Sequence, residues 1–337
     1  MDKVNRNPER QFDGSDLAWL LAEYLRDRTS RVSASTMKDY AYVLHFFEMW
    51  WAEWGPAHKQ LVARPDFHEY ARWLERQPNR QGEHLSVRTI DTALKRLRQF
   101  FRWAWVEEFF RRDYSKWIPR ANREAPEKQA PDPKCLADLF QAADSTDKPL
   151  RNKAILAVLI GTAVRRTECS AIDIEHVRFV ASGGGQISIP KGKGGKPRIV
   201  IFDDIASYYL SAHLAYLAEI GVTAGPLFLG RGGRLSPKGL YSAVKACARR
   251  AGLADQIQGP HDLRRMFATY WSRTQRGEGF MQPLALQMGH TDKKMTLHYS
   301  KQGLADVQET FTSPLVELRR SRPSPAEADH TIDDKRK

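Results

Sequence analysis

From Leu17 the apolar positions fall at Leu17, Leu20, Leu21, Tyr24 and Leu25, the spacing of one face of a helix, with Ser15 or Asp16 placed to cap its start. The same period recurs at Met37, Tyr40, Leu44, Phe47 and Trp51, which predicts a second helix beginning near Ser35 and ending at Gly55-Pro56. Phe67, Tyr70, Ala71 and Leu74 mark a third helix. Val87, Ile90, Leu94, Leu97, Phe101 and Ala104, following Ser86, mark a fourth. Helices of this kind with short connections bury their apolar stripes against one another, so residues 15–120 are expected to form a compact bundle. Residues 1–14 are polar, contain Pro8 and Gly14, and read as a flexible end.

The periodicity then stops. Ile118 to Pro133 holds Pro119, Pro126, Pro131 and Pro133 among polar residues, the composition of an extended connection, and 121–133 is taken as a linker. Beyond it the pattern alternates. Leu136, Leu139 and Phe140 predict a helix, and an apolar helix from Asn152 to Gly161 is expected to break at Gly161-Thr162, with another starting around Arg165. Val177–Val180, Gln186–Ile189 and Arg198–Phe202 are short runs rich in β-branched residues and read as three strands, the last two joined by a Gly/Lys turn. Helices follow at about 204–219 and 236–251, separated by the Gly230–Gly233 loop, and a short one at 304–311. The fold class is mainly α with a small antiparallel sheet, in a second domain over 134–318, and residues 319–337 read as a disordered tail. There is no internal repeat.

Composition sharpens this picture. With 337 residues, 42% of them hydrophobic, the chain is globular and long enough for two cores. Its formal net charge of +13 favours a polyanionic partner, and nucleic acid leads. The polar face of the fourth helix, continued to residue 123, carries Arg88, Lys95, Arg96, Arg98, Arg102, Arg111, Arg112, Lys116, Arg120 and Arg123. Such a run alone is a solvated face; beside a phosphate site it becomes a surface that tracks a backbone, with Arg88, Lys95, Arg98 and Arg102 as DNA-binding candidates. Trp50, Trp51, Trp54, Trp103 and Trp105 read as core residues rather than stacking platforms. Cys135, Cys169 and Cys247 are odd in number and dispersed, which argues against a disulfide framework or a zinc site. The start lacks an apolar leader core, and the longest apolar run, Ala154 to Ile160, is far short of the ~18 residues of a membrane span. A cytoplasmic, nucleoid-associated protein with no membrane partner is expected.

The chemistry concentrates between His261 and Tyr299. His261-Asp262-Leu263-Arg264-Arg265 puts His261 and Arg264 on one side of a helix start. Leu286-Gln287-Met288-Gly289-His290 ends a helix in glycine, and Met295-Thr296-Leu297-His298-Tyr299 follows. Imidazoles, a guanidinium and a phenol suit a phosphate and an attacking hydroxyl. Upstream stand Gly161-Thr162-Ala163-Val164-Arg165-Arg166-Thr167-Glu168 and Gly192-Lys193-Gly194-Gly195-Lys196-Pro197-Arg198. Taken in order, these elements resemble the tyrosine recombinase (phage integrase) family over roughly 134–307. Ala163 stands where that family commonly has Gly, and Met288 where Leu is common.

The resemblance implies a helical, SAM-like core-binding domain joined by a linker to a mixed α/β catalytic domain, the two closing on a duplex as a clamp. It implies Tyr299 as the nucleophile that forms a 3'-phosphotyrosyl link, Arg165 and Arg264 on the non-bridging oxygens, His261 as base, Lys193 as the acid for the leaving 5'-oxygen and His290 bonded to the phosphate. Arg166 and Arg265 compete with their neighbours, and only the family register chooses between them. Lys196 is an alternative acid, more simply a phosphate contact, and is grouped with Arg198 among the DNA-binding candidates. Glu168 is expected to orient a neighbour, and an ion pair to Glu168 is the structural alternative for Arg165. No cofactor or metal is implied, and the expected partners are double-stranded DNA at paired inverted repeats and a homotetramer on that DNA, possible as a monomer in solution. A topoisomerase-like nicking and resealing enzyme and a non-catalytic DNA-binding regulator are the alternatives.

Overall fold

The computed structural model describes residues 12, 16–58, 62–79, 81–120, 129–181, 183–190, 197–274, 281–289 and 311–320. It divides into two compact units, 1–127 and 128–337.

The first unit is helical: α1 (Leu17–Thr29), α2 (Ala34–His58), α3 (Arg64–Arg76) and α4 (Val87–Val106), followed by a 3₁₀ turn at Tyr114–Trp117. Ser86 caps α4 by accepting from the Thr89 N–H at 3.2 Å. Asp16 occupies the cap position of α1, but its side chain makes no capping bond. Helix α2 runs to His58, past the expected stop at Gly55-Pro56. Proline holds a helical φ, and a preceding glycine has no Cβ to clash with the ring, so the last turn tolerates the pair.

The core of this unit is aromatic. Phe47, Tyr70 and Phe101 are fully buried, with Phe47 and Tyr70 edge to face at 5.1 Å. Trp50 stacks on Trp54 at 4.7 Å. Trp50, Trp51 and Trp103 are buried as expected, whereas Trp105 is exposed and carries the Arg102 guanidinium 4.4 Å from its ring. Phe12 corrects the reading of 1–14 as a flexible end. It is 1% exposed, packs against Trp51 and Phe101, and donates its N–H to Tyr114 Oη at 3.0 Å.

In the second unit, α5 (Leu136–Asp144), α6 (Pro149–Thr162) and α7 (Arg166–Ser170) precede β1 (Val177–Phe179), β2 (Gly185–Ile189) and β3 (Arg198–Phe202), an antiparallel sheet in that order. Then come α8 (Asp204–Glu219), the hairpin β4 (Leu229–Gly230) and β5 (Gly233–Arg234), α9 (Pro237–Arg250), α10 (Pro260–Thr274), α11 (Met281–Met288) and α12 (Glu317–Arg320). Every side chain from Ala154 to Ile160 is buried, so this part of α6 runs through the core and is apolar on every face. No helix among the described residues is long and apolar enough to cross a membrane.

The break expected at Gly161-Thr162 lies one step later. Thr162 stays helical, its hydroxyl donating to the Val158 carbonyl at 2.6 Å. Gly161 is a packing residue: a Cβ there would lie 3.2 Å from Ala206 and 3.3 Å from Leu315. Helix α6 ends at Ala163, whose φ of +53° is left-handed. Residues 311–320 return to the same core. Leu315 is fully buried, and the Ser313 N–H donates at 3.1 Å to Asp203, which also caps α8. Part of the tail expected to be disordered from 319 is thus ordered: Arg319 pairs with Asp204. The helix expected at 304–311 falls outside the described residues except at Phe311, which is buried and not helical.

Candidate active site

The left-handed turn at Ala163 directs the chain from α6 into α7 and leaves Arg165 at the cap of α7. The Arg165 N–H donates to Glu168 Oε2 at 2.7 Å, its Nη1 to Glu168 Oε1 at 2.9 Å, and its Nη2 to the Gly289 carbonyl at 3.0 Å. Both sequence readings of Arg165, ion pair and phosphate ligand, therefore fit one geometry, since an ion pair fixes the fork without removing its charge.

Arg264 enters from α10 and is 6% exposed. Its Nη1 donates to the Ala163 carbonyl and its Nη2 to the Met288 carbonyl at 2.6 Å. Burial lowers its pKa to about 10, helped by repulsion from Arg165 and Arg198, and it remains a cation at neutral pH. Arg265, its competitor, is bound to Asp262 at 2.8 Å. Asp262 in turn accepts from the Gln258 N–H.

Arg165, Arg166, Tyr241, His261, Arg264 and Met288 share one cleft of about 680 Å³. His261 is exposed on it. Arg166 is exposed too, 5.8 Å above the Tyr241 ring. A Cβ at Gly259 would lie 2.6 Å from that ring, so the glycine makes room for Tyr241. Two permanent guanidiniums beside an imidazole can hold a tetrahedral anion and exchange a proton next to it. Lys193, Lys196, His290 and Tyr299 lie outside the described residues.

Arg198 corrects the sequence reading. Expected as a DNA contact, it is a largely buried clasp on Glu168, with 12% of its side chain exposed. Its Nη1 and Nη2 donate to the two oxygens of Glu168, each at 2.8 Å, and a Cβ at Gly289 would lie 2.9 Å from its Cζ. Gly289, at φ +61°, is thus glycine for two reasons: its left-handed backbone and the guanidinium packed against it. Burial would raise the Glu168 carboxyl, but bonds from Arg198 and the Arg165 backbone hold it at about 2.

The other basic candidates are in the first unit. Arg88 and Lys95 are exposed on α4, the latter 3.7 Å from Asp91. Arg98 donates to the Pro119 carbonyl at 3.3 Å, and Arg102 pairs with Asp113 at 2.6 Å. The face does not continue along one helix to residue 123, because α4 ends at Val106 and Glu108 turns the chain with φ +61°.

Gln287 was not legible from the sequence. It is 4% exposed, accepts from the Ile201 N–H at 3.1 Å and donates to the Ile201 carbonyl at 2.5 Å, which ties α11 to β3. Its place in the apolar run before Gly289 marked it as inward-facing, but nothing marked its partner.

Residues 132–303 match the model of the phage integrase family, and residues 20–108 that of the phage integrase N-terminal SAM-like domain. Tyrosine recombinase XerD of Mycobacterium tuberculosis is 30% identical over 274 residues, which is 75% of this chain and 84% of that protein. Tyrosine recombinase XerC of Haemophilus ducreyi is 27% identical over 257 residues, 74% of this chain and 80% of that one. Among solved structures, XerH site-specific recombinase bound to its difH substrate superposes with a TM-score of 0.66 at 18% identity, covering 90% of this chain and 98% of that one. A lambda integrase tetramer bound to a Holliday junction gives 0.59 at 14% identity, covering 85% and 79%. These structural likenesses establish the fold.

Proposed function

The chain belongs to the phage integrase family and is a site-specific tyrosine recombinase, an enzyme that breaks and rejoins DNA strands; we propose that it does so with Tyr299 as nucleophile and Arg165, Lys193, His261, Arg264 and His290 as the groups that assist it. The observation that carries this reading is the pair of guanidiniums, Arg165 and Arg264, held on one cleft beside the exposed His261. The Tyr299 oxygen bonds to the scissile phosphorus as its proton passes to His261, and the bond to the 5'-oxygen breaks as Lys193 protonates that oxygen. The phosphodiester becomes a 3'-phosphotyrosyl ester, so its bond energy is kept for rejoining by a 5'-hydroxyl. Negative charge gathers on the non-bridging oxygens, where fixed guanidiniums stabilise it with no reorganisation. Lys193, His290 and Tyr299 enter through the order of the motifs.

The substrate is double-stranded DNA at paired inverted repeats, and a homotetramer in the cytoplasm acts on two such sites through a Holliday junction. The lambda integrase tetramer of the same fold supports this assembly. Relatives named as recombinases disfavour a topoisomerase-like resealing enzyme and a non-catalytic regulator.

A nicked suicide substrate, incubated with EDTA and without ATP, is expected to trap a covalent complex through Tyr299. Tyr299→Phe is expected to bind DNA and give none, and Tyr241→Phe to keep it. An adduct on Tyr241, or cleavage that requires added Mg²⁺, refutes the assignment.

A further inference from the structure

We propose that Arg198 is a positioning residue for strand cleavage: it holds Arg165 through Glu168 and packs against the Gly289 turn, so that β3, the start of α7 and the end of α11 move as one unit. This rests on the recombinase reading of the site.

Glu168 joins the pieces because both its oxygens are fully used. Oε1 accepts from Arg198 at 2.8 Å and Arg165 at 2.9 Å; Oε2 accepts from Arg198 at 2.8 Å and the Arg165 N–H at 2.7 Å. The carboxylate is 3% exposed and has no role left in proton transfer. Its function is to fix the two guanidiniums relative to each other. Arg198 supplies half of its donors, in the parallel fork that only arginine makes.

The other side of Arg198 fills the space of a side chain at residue 289. Its Cζ, Nε and Nη1 lie 2.9, 3.0 and 3.0 Å from where a Cβ would stand. The Gly289 carbonyl accepts from Arg165, which closes a loop from Arg198 to Glu168 to Arg165 to Gly289 and back. Arg198 also begins β3, five residues after Lys193 in the sequence, so the start of that strand is anchored at this loop. Residues from three distant parts of the chain are thereby held in register by one largely buried side chain that does not line the cleft.

Without Arg198 the carboxyl loses the largest influence holding it low, and its burial then drives it upward. A neutral Glu168 would release Arg165, which provides a signature that mere loosening of the fold would not.

The test is the single-turnover rate of covalent complex formation at saturating DNA, measured against pH for the full-length chain and for Arg198→Met, Glu168→Gln and the double variant. Arg198→Met is expected to be about 10- to 100-fold slower, the scale of a misplaced catalytic group, with unchanged DNA affinity. Relative to the parent chain at each pH, its rate should fall further as pH drops from about 7 to about 5. The double variant should be little slower than the slower single variant, because both act through one link. Arg198→Lys keeps the charge without the fork; it is expected to restore the parent's profile with an intermediate rate, and it carries the test if Arg198→Met does not fold. Parent-like rate and profile in the folded variant, or fully additive losses, overturn the proposal. Failure of the parent chain itself to form the adduct through Tyr299 overturns the recombinase reading instead.

Discussion

Replacing Glu168 by glutamine removes the one anion held between Arg165 and Arg198, and its cost should depend on pH in a calculable way. In the folded protein the carboxyl sits at about 2 against an ordinary 4.5, so the ionised form is favoured by folding. At about 1.4 kcal/mol per pKa unit this is worth about 3 kcal/mol at neutral pH. A depressed carboxyl contributes in full above its unfolded value and loses its contribution as pH falls toward the folded value. About 2 kcal/mol should therefore be gone by about pH 3. Glu168→Gln cannot titrate, so the stability gap between the two proteins should narrow by that amount from pH 7 to pH 3, while other carboxylates cancel in the difference. Because the chain divides into two compact units, the measurement should read the second by itself. Trp271 is the only tryptophan after Trp117 and is buried near Met288 and Ala163. Urea titrations followed by ¹⁹F NMR of 5-fluorotryptophan, with the Trp271 signal assigned through Trp271→Phe, give the required free energies. A gap that stays constant from pH 7 to pH 3 would mean that the arginines do not hold the carboxylate as described.

Two further substitutions separate backbone strain from packing. Gly289→Ala places a methyl in a left-handed backbone, at a cost of about 1 to 2 kcal/mol, and against Arg198 as well; a loss of about 2 kcal/mol or more in the same assay, with slower cleavage, is expected, and parent-like stability would show that the turn is slack. Ala163→Gly relieves about 1 kcal/mol of left-handed strain but empties the space of a buried methyl worth a similar amount, so a net change below about 1 kcal/mol is expected, and a clear gain would mean that the methyl packs on nothing.

The helices were legible where a local bond announces them. Ser86, Asp203 and Ser236 each accept from a backbone N–H three residues on, and apolar periodicity carries the rest. What escaped notice depends on contacts between distant residues. Gly161 looks like a breaker but is small because Leu315 and Ala206 crowd it. Phe12 is one aromatic in a polar stretch, with no period to reveal that it is buried. Arg198 stands in a basic turn and reads as a surface cation, since nothing in the sequence marks a partner thirty residues earlier. In the site, the motifs placed Arg165, His261 and Arg264 on one cleft, but the supports that aim them, the carbonyls of Ala163, Met288 and Gly289, are backbone atoms with no signature in side-chain identity.

The amide of Gln287 has a consequence for solubility. Strand β3 is at the end of its three-stranded sheet, and an edge strand offers unpaired main-chain groups to any passing strand. By taking both the N–H and the carbonyl of Ile201, Gln287 occupies that rung as a neighbouring strand would. One side-chain amide here blocks a site where chains could otherwise join sheet to sheet and aggregate.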